Sequence, residues 1–353
     1  MTRRIEEVQN DIRKLLNTIY ITAADSYLTR DEENVVVRKE EQVALRIPIH
    51  NLESIVMFGY AGASPSLMHL CMERGVSLSF LQESGRFLGS VVGNVKGNVL
   101  LRRKQYRMAD GPDAANFAGR FIFGKIANAR AVLRRGLRDH EETIVSEKID
   151  RESEFLNRYM RRVLREAKLD DLRGIEGEAA RRYFSAFNEL ILVNKEHFYM
   201  RGRNRRPPLD RVNAMLSYLY ALLRTDCQSA LETVGLDPAV GFLHRDRPGR
   251  QSLALDLMEE LRCYMVDRLV LSMINRKQVG AKDFLFKENG AVMLKPELKK
   301  ELITAWQKRK HEEIRHPFLK EKISLGLLPY AQALLLARTI RGDLDGYPPF
   351  LWK

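Results

Sequence analysis

Phe87-Leu-Gly-Ser-Val-Val-Gly-Asn-Val-Lys-Gly-Asn-Val-Leu-Leu-Arg-Arg103 is the stretch at which this 353-residue chain changes character. On its N-terminal side apolar residues come in short β-rich runs, whereas from Leu100 onward they recur at helical spacing nearly to the end. The composition turns between Gly93 and Gly97, so a hinge is expected at 93–98. It separates a β-rich domain over 1–92 from a helical domain over 99–353. The expected class is α+β, a small mainly-β N-terminal domain followed by a larger all-α domain, and 353 residues suffice for a core in each.

Working back from the junction, β-rich runs occur at Thr18–Thr22, Val35–Arg38, Val43–Ile47, Ile55–Gly59, Val76–Leu81 and Phe87–Val92. Asp31–Asn34, Pro48 and Ser84-Gly85 supply turn formers. One helix interrupts them: Ser64 offers an N-cap, Pro65 a first helical residue, Leu67, Leu70 and Cys71 an apolar stripe, and Gly75 an exit. Clustered catalytic groups are absent, so this domain is assigned to structure and protein–protein contact.

Working forward, Phe121, Ile122, Ile126, Ala129, Val132 and Leu133 follow helical spacing, as do Phe155, Leu156, Tyr159, Val163 and Leu164. Lys125 and Arg130 fall among the basic residues in between. Arg201-Gly-Arg-Asn-Arg-Arg-Pro-Pro reads as an arginine-rich loop ahead of a Val212–Leu223 helix, and 308–321 as an exposed helix or connector. No internal repeat is present.

Charge follows the same division. Residues 1–90 hold 10 Lys/Arg against 12 Asp/Glu, leaving 49 against 34 for residues 91–353, so the net +13 belongs to the helical part. A surface of that sign suits a polyanion, although a solvated basic helical surface would carry the same balance. Cys71, Cys227 and Cys263 are odd in number and lack zinc-ribbon spacing, which fits a reducing cytoplasm and argues against a disulfide framework. Arg3 and Arg4 are followed by Glu6, Glu7 and Asp11 instead of an apolar run, and no later stretch has membrane-spanning length; a soluble, non-exported protein is expected.

Candidate chemistry concentrates in two places. His244 lies in the loop Gly241-Phe-Leu-His-Arg-Asp-Arg-Pro-Gly-Arg-Gln-Ser, and a helix capped by Ser252 follows it. Leu253, Leu257 and Leu261 cover that helix's buried side, while Asp256, Glu259 and Glu260 fall opposite. Oxygen ligands with one imidazole suit Mg²⁺ or Mn²⁺ better than zinc. The ordinary alternative is a solvated acidic helix face. Arg245, Arg247 and Arg250 beside His244 weigh against it, because cations next to a metal site serve phosphodiester chemistry. The second place is Arg173-Gly-Ile-Glu-Gly-Glu-Ala-Ala, read as a helix start, where Glu176 shares a face with Ala180, Tyr183, Phe184 and Phe187. An inward carboxylate needs a partner or a metal. Glu178 is left to pair with Arg181 and Arg182 on the solvent side, and Tyr183 to packing.

At these residues the sequence resembles the CRISPR adaptation integrases, the CRISPR-associated endonucleases numbered one. The likeness is carried by Gly-Ile-Glu-Gly-Glu-Ala-Ala at 174–180, Pro-Pro-Leu-Asp-Arg-Val-Asn-Ala-Met-Leu-Ser at 207–217, Gly-Phe-Leu-His at 241–244 and Ser-Leu-Ala-Leu-Asp-Leu-Met-Glu-Glu-Leu-Arg at 252–262. The closing Tyr-Pro-Pro-Phe-Leu-Trp-Lys at 347–353 resembles the subtype I-C form. Met1–Arg13 precedes the family's usual start.

The resemblance implies that Glu176, His244 and Glu259 ligate one divalent cation, with Asp256 a further acid near the site. It also implies a homodimer formed through the β-rich domain, two such dimers around a dimer of the small second adaptation protein, and double-stranded DNA as substrate. The implied reaction is transesterification: the 3′-hydroxyl of a foreign fragment attacks a phosphodiester at the CRISPR repeat border. An end-trimming helper nuclease is common among subtype I-C relatives. Arg245 and Arg250, with Arg205 and Arg206 further out, are the expected phosphate contacts. Asn213 and Ser217, one helical turn apart, are placed either at DNA or in support of the site. A non-catalytic DNA-binding protein and a plain metal-dependent nuclease are the competing readings.

Overall fold

The computed structural model describes residues 12–15, 18–21, 25–40, 42–52, 54–59, 61–82, 87–91, 99–140, 142, 146–166 and 168–352. The chain divides into two compact units, Met1–Lys96 and Gly97–Lys353. The hinge expected at 93–98 and the Ser84-Gly85 turn lie outside the described residues, as do Thr22 and Val92 at the ends of two expected strands.

In the first unit, β1 (Ile12–Leu15), β2 (Thr18–Ile21), β6 (Ser54–Phe58), β8 (Ser77–Leu81) and β9 (Phe87–Val91) form one sheet in the order β1-β2-β6-β8-β9. The inner pairs β2·β6 and β6·β8 are parallel and the outer pairs antiparallel. Every residue of β6 is buried, as a central strand covered on both faces requires. A second sheet runs β5 (Gln42–Pro48), β4 (Asn34–Lys39), β3 (Ser26–Asp31) and β7 (Gly62–Ala63). Ile19, Ile21, Leu28, Val35, Val37, Ile55, Met57 and Leu70 belong to one shared core.

Among the described residues of this unit the α-helix is α1 (Pro65–Arg74), which starts and stops on the residues its sequence marks. The Ser64 hydroxyl accepts from Leu67 N–H at 3.3 Å, a cap worth about 1 kcal/mol, and Gly75 leaves the helix at φ +70°. Strands β1, β3 and β7 are additions to the sequence reading. Ser26-Tyr-Leu-Thr-Arg-Asp alternates polar residues with only two apolar ones, so its period was faint.

The second unit is built on α3 (Asp113–Asp139), which packs against α4 (Ser146–Val163), α5 (Leu169–Phe187) and α7 (Ser252–Arg262). Phe121, Ile122, Ile126, Ala129, Val132 and Leu133 are its buried face. The remaining helices are α2 (Val99–Asp110), α6 (Arg211–Thr233), α8 (Arg268–Asn275), α9 (Pro296–Lys310) and α10 (Leu328–Arg341). Two short antiparallel ribbons join them: β10 (Phe284–Phe286) with β11 (Val292–Leu294), and β12 (Glu313–Arg315) with β13 (Lys322–Ser324). Leu164 falls just past α4 and is exposed.

Two readings of this unit are corrected. Helix α6 runs ten residues beyond Leu223, because polar residues that interrupt the apolar period are themselves buried; Asp226, for one, pairs with Lys310 at 3.1 Å. Residues 308–321 are not a wholly exposed connector either. Arg309 and Lys310 are buried, and His316, fully buried, accepts from the Phe318 and Leu319 amides at Nδ1 while Nε2 meets Gln332 Oε1 at 3.0 Å. Cys71, Cys227 and Cys263 are free and buried, and among the described residues no helix is long and apolar enough to cross a membrane.

Candidate metal centre

Helix α7 carries the acidic row, and the row is interior. Asp256 and Glu260 are 0 % exposed and Glu259 3 %, which overturns the solvated-face alternative. Ser252 is not the N-cap but the first helical residue; Gln251 precedes the helix, and the amides of Leu253 and Ala254 donate to the Pro238 carbonyl at 2.9 and 3.3 Å. That carbonyl does the work of a capping side chain, which frees the Ser252 hydroxyl to donate to Arg245 O.

The three acids have separate tasks. Asp256 binds the His244 loop: Oδ2 accepts from the amides of Phe242 and Leu243 at 2.6 and 2.9 Å, and Oδ1 from the His244 amide at 3.0 Å and faces His244 Nδ1 at 2.7 Å. With Nδ1–H directed at a carboxylate, Nε2 is left as the nitrogen that carries the lone pair. Gly241 permits this close approach, since a Cβ there would stand 2.8 Å from Asp256 Oδ2 and 2.9 Å from the Ser252 backbone.

Glu260 instead secures the C-terminal segment, accepting from Tyr347 OH, from Phe350 N–H at 2.7 Å and from Gln332 Nε2 at 2.9 Å. Asn128 of α3 ties the same segment by donating to Glu260 O and Phe350 O and accepting from Trp352 N–H. Burial pushes the Glu260 carboxyl up to about 7, against the opposing pull of these donors.

Glu259 is the acid that meets Glu176. Arg262, one turn along α7, donates to its Oε1, and Lys125 Nζ of α3 lies 2.7 Å from its Oε2 while also donating to Glu176 Oε1. The Lys125–Glu259 approach is a buried ion pair. Burial alone would raise the Glu259 pKa; Arg262, Lys125 and His244 outweigh it and hold it at about 2. Lys125 is held above its ordinary value, burial opposing and Glu259 and Glu176 prevailing.

Glu176 lies two turns inside α5, which starts at Leu169; it is not at a helix start, as Gly174 and Gly177 had suggested. Its side chain is 27 % exposed, and it is the open member of the group. Glu178 pairs with Arg181 and Arg182 as expected. Tyr183 is buried, its hydroxyl donating to Asp267 Oδ2 at 3.0 Å, and burial followed by Asp267 lifts its pKa well above the ordinary value. A π-helical turn at Cys263–Asp267 places Asp267 between Tyr183 and Tyr220.

Arg245 is exposed and bridges to Asp170 at the start of α5 at 2.9 Å, and Arg250 donates to Arg245 O at 3.3 Å. Arg205 and Arg206 are exposed. Asn213 does not reach the surface: it is fully buried and accepts from Arg203 and the Asn204 amide, so of its two expected roles it takes support, not DNA contact. Ser217 also accepts from Arg203, whose guanidinium lies over Tyr220, the ring on which Arg262 rests.

Lys125 and Arg262 were missed in the sequence. Lys125 was counted only among the basic residues between apolar positions, although it occupies an apolar-face position of α3 one turn after Phe121 and one before Ala129.

The donor set, two carboxylates converging on one cation and an imidazole fixed from behind, fits a hard divalent ion. As the side chains stand, among the described residues no three His, Cys, Asp or Glu lie close enough together to hold a metal. The Lys125 ammonium stands between the two glutamates.

Comparison with known proteins shows the family. The family model described as CRISPR associated protein Cas1 matches residues 19–308. A CRISPR-associated endonuclease Cas1 of Chlorobaculum tepidum is 53% identical, covering 97% of this chain and 100% of the relative. Another from Rhodospirillum rubrum is 51% identical at the same coverage. Among solved structures, a casposase bound to integration product superposes with a TM-score of 0.79 at 21% identity, over 93% of this chain and 92% of that one. A Cas6-RT-Cas1–Cas2 complex gives 0.80 at 23%, over 97% of this chain and 36% of the longer one; at such identities these two show the fold. By the family model and by relatives identical at half of all aligned positions, the chain belongs to the Cas1 family of CRISPR-associated endonucleases.

Proposed function

We propose that this protein is the integrase of CRISPR adaptation, joining the 3′-hydroxyl of a foreign DNA fragment to a phosphodiester at the repeat border. The observation that carries the reading is the convergence of Glu176 and Glu259, from two helices, on one cation position beside a histidine whose ring Asp256 orients. Glu176, His244 and Glu259 would hold Mg²⁺ or Mn²⁺, which when bound supplies Lewis-acid stabilisation of charge on the reacting phosphate.

The protein's own groups do the rest. Arg262 keeps Glu259 ionised inside the fold, and Asp256 keeps the His244 lone pair outward. Arg245 and Arg250 at the rim, with Arg205 and Arg206 further out, meet phosphates. No side chain need form a covalent intermediate: the 3′-oxygen bonds to phosphorus as the target strand's own 3′-oxygen leaves. Water in place of the 3′-hydroxyl turns the same site into a nuclease.

Support for the partners comes from what similar proteins are named for, a casposase bound to integration product and a complex containing Cas2. The proposal includes a homodimer through the β-rich unit, two dimers around a dimer of the small second adaptation protein, cytoplasmic action, and a subtype I-C setting with its helper nuclease.

The test is strand transfer into a repeat-containing plasmid with the small partner protein supplied. His244→Ala abolishes Mg²⁺- or Mn²⁺-dependent transfer and leaves DNA binding largely intact. Wild-type activity in excess EDTA would sink the metal mechanism, and strand scission without joining would point to a plain nuclease.

A further inference from the structure

The buried group at the site is balanced before any metal is considered. Glu176 and Glu259 carry two negative charges, Lys125 and Arg262 two positive ones, and all but Glu176 are nearly closed off from water. Two carboxylates sharing one interior space cannot both stay ionised without such compensation. Arg262 pairs with Glu259 from its own helix, whereas Lys125 makes close ion pairs with both acids, donating to Glu176 Oε1 and lying 2.7 Å from Glu259 Oε2.

Resting on the metal reading above, we infer that Lys125 is a built-in counter-cation whose ammonium occupies the ligand space between Glu176 and Glu259, so that a divalent ion enters only as Lys125 swings out. A divalent ion held by those two oxygens would share their space with the ammonium, cation against cation with no anion between them. Both do not fit. Inward retreat is closed: the cavity beside Lys125, bounded by Ala129, Leu156, Ala179 and Phe184, measures about 10 Å³ and is apolar. The outward route passes Glu176, the exposed member of the group. Displacement would deliver the ammonium to the face from which a phosphate arrives.

Lys125 thus sets metal affinity by competition and keeps the acids paired in the absence of metal. The experiment measures Mn²⁺ affinity by the magnetic resonance signal of free Mn²⁺ in the wild type, Lys125→Met and Lys125→Gln, with melting temperatures in EDTA. Lys125→Met is expected to bind Mn²⁺ at least ten-fold more tightly while melting lower in EDTA, and Lys125→Gln to fall between. Lysine acylation footprinting of the wild type supplies a second readout that needs no variant to fold: Lys125 is protected in EDTA and reactive in saturating Mn²⁺. Unchanged or weaker Mn²⁺ affinity in Lys125→Met overturns the inference, as does Lys125 protection that persists with Mn²⁺ bound. A wild type that binds no Mn²⁺ removes the metal reading itself and this inference with it.

Discussion

Asp256 spends both carboxylate oxygens on three backbone amides and one imidazole nitrogen, all inside the protein. Asp256→Asn would turn an amide NH₂ toward donors it cannot accept from. Loss of the His244 orientation is expected to cost about 10- to 100-fold in metal affinity and activity, read by Mn²⁺ titration and strand transfer, with about 2 kcal/mol of stability. Its neighbour Glu260 makes a prediction in pH. The folded carboxyl titrates at about 7 against an ordinary 4.5, so the folded state keeps a proton that the unfolded chain sheds. Stability from this group therefore falls as pH rises from about 4.5 to 7 and is level above that, a change of about 3 kcal/mol at most. Glu259, held at about 2, acts oppositely: its contribution is present above about 4.5 and is lost as pH falls toward 2. Melting temperatures across pH 5 to 7.5 should decline in the wild type. Glu260→Gln, a neutral stand-in for the protonated acid, should lack that decline; a parallel decline in both would contradict the assignment.

At the scale of elements, what was legible depended on whether the deciding contact was local. Helix α1 was readable from Ser64, Pro65 and Gly75 because its caps are its own neighbours in sequence. Helix α7 was found, but its first turn is satisfied by Pro238, fourteen residues upstream of Ser252, and no local pattern announces that. The acids on α7 looked solvent-facing because their partners, Lys125, Gln332 and Tyr347, come from distant segments. The Glu178 pairing needed only helical phase and the adjacent arginines, whereas Glu176, expected to face inward, is as exposed as Glu178 at 27 % and meets Lys125 from a different helix. Where α5 begins was misread, since Gly174 and Gly177 look like a boundary and are interior positions on an open face. That correction is testable. A Cβ at either glycine meets nothing within 4 Å, so Gly174→Ala and Gly177→Ala should each stabilise by about 1 kcal/mol in denaturant unfolding, the helix-interior value. A gain of only a few tenths would match a helix start instead.

For the molecule as a whole, the division of charge carries the expectation that survives folding least changed. A few of the 49 basic residues of 91–353 are spent internally: Lys125, Arg262, Arg309 and Lys310 are buried, and Arg203 is bonded to Asn213 and Ser217. The count overstates the surface available to phosphate. The exposed arginines are those that counterion release should register, and Arg205 and Arg206 stand out because they lie on a loop anchored by Arg203 to Tyr220, next to Arg262 and the site. Each phosphate contact to duplex DNA contributes a slope of about −0.9 in log affinity against log salt. If both arginines meet backbone, Arg205→Ala with Arg206→Ala should flatten the measured slope by about 1.8, weaken binding at low salt, and leave sequence preference unchanged. Replacing the half-buried Arg203 should act differently, lowering stability and activity together through the loop it holds. A double variant that binds duplex DNA with the wild-type salt slope would place the phosphate track elsewhere on the helical unit, with the exposed Arg245 and Arg247 beside His244 as the next positions to titrate in the same way.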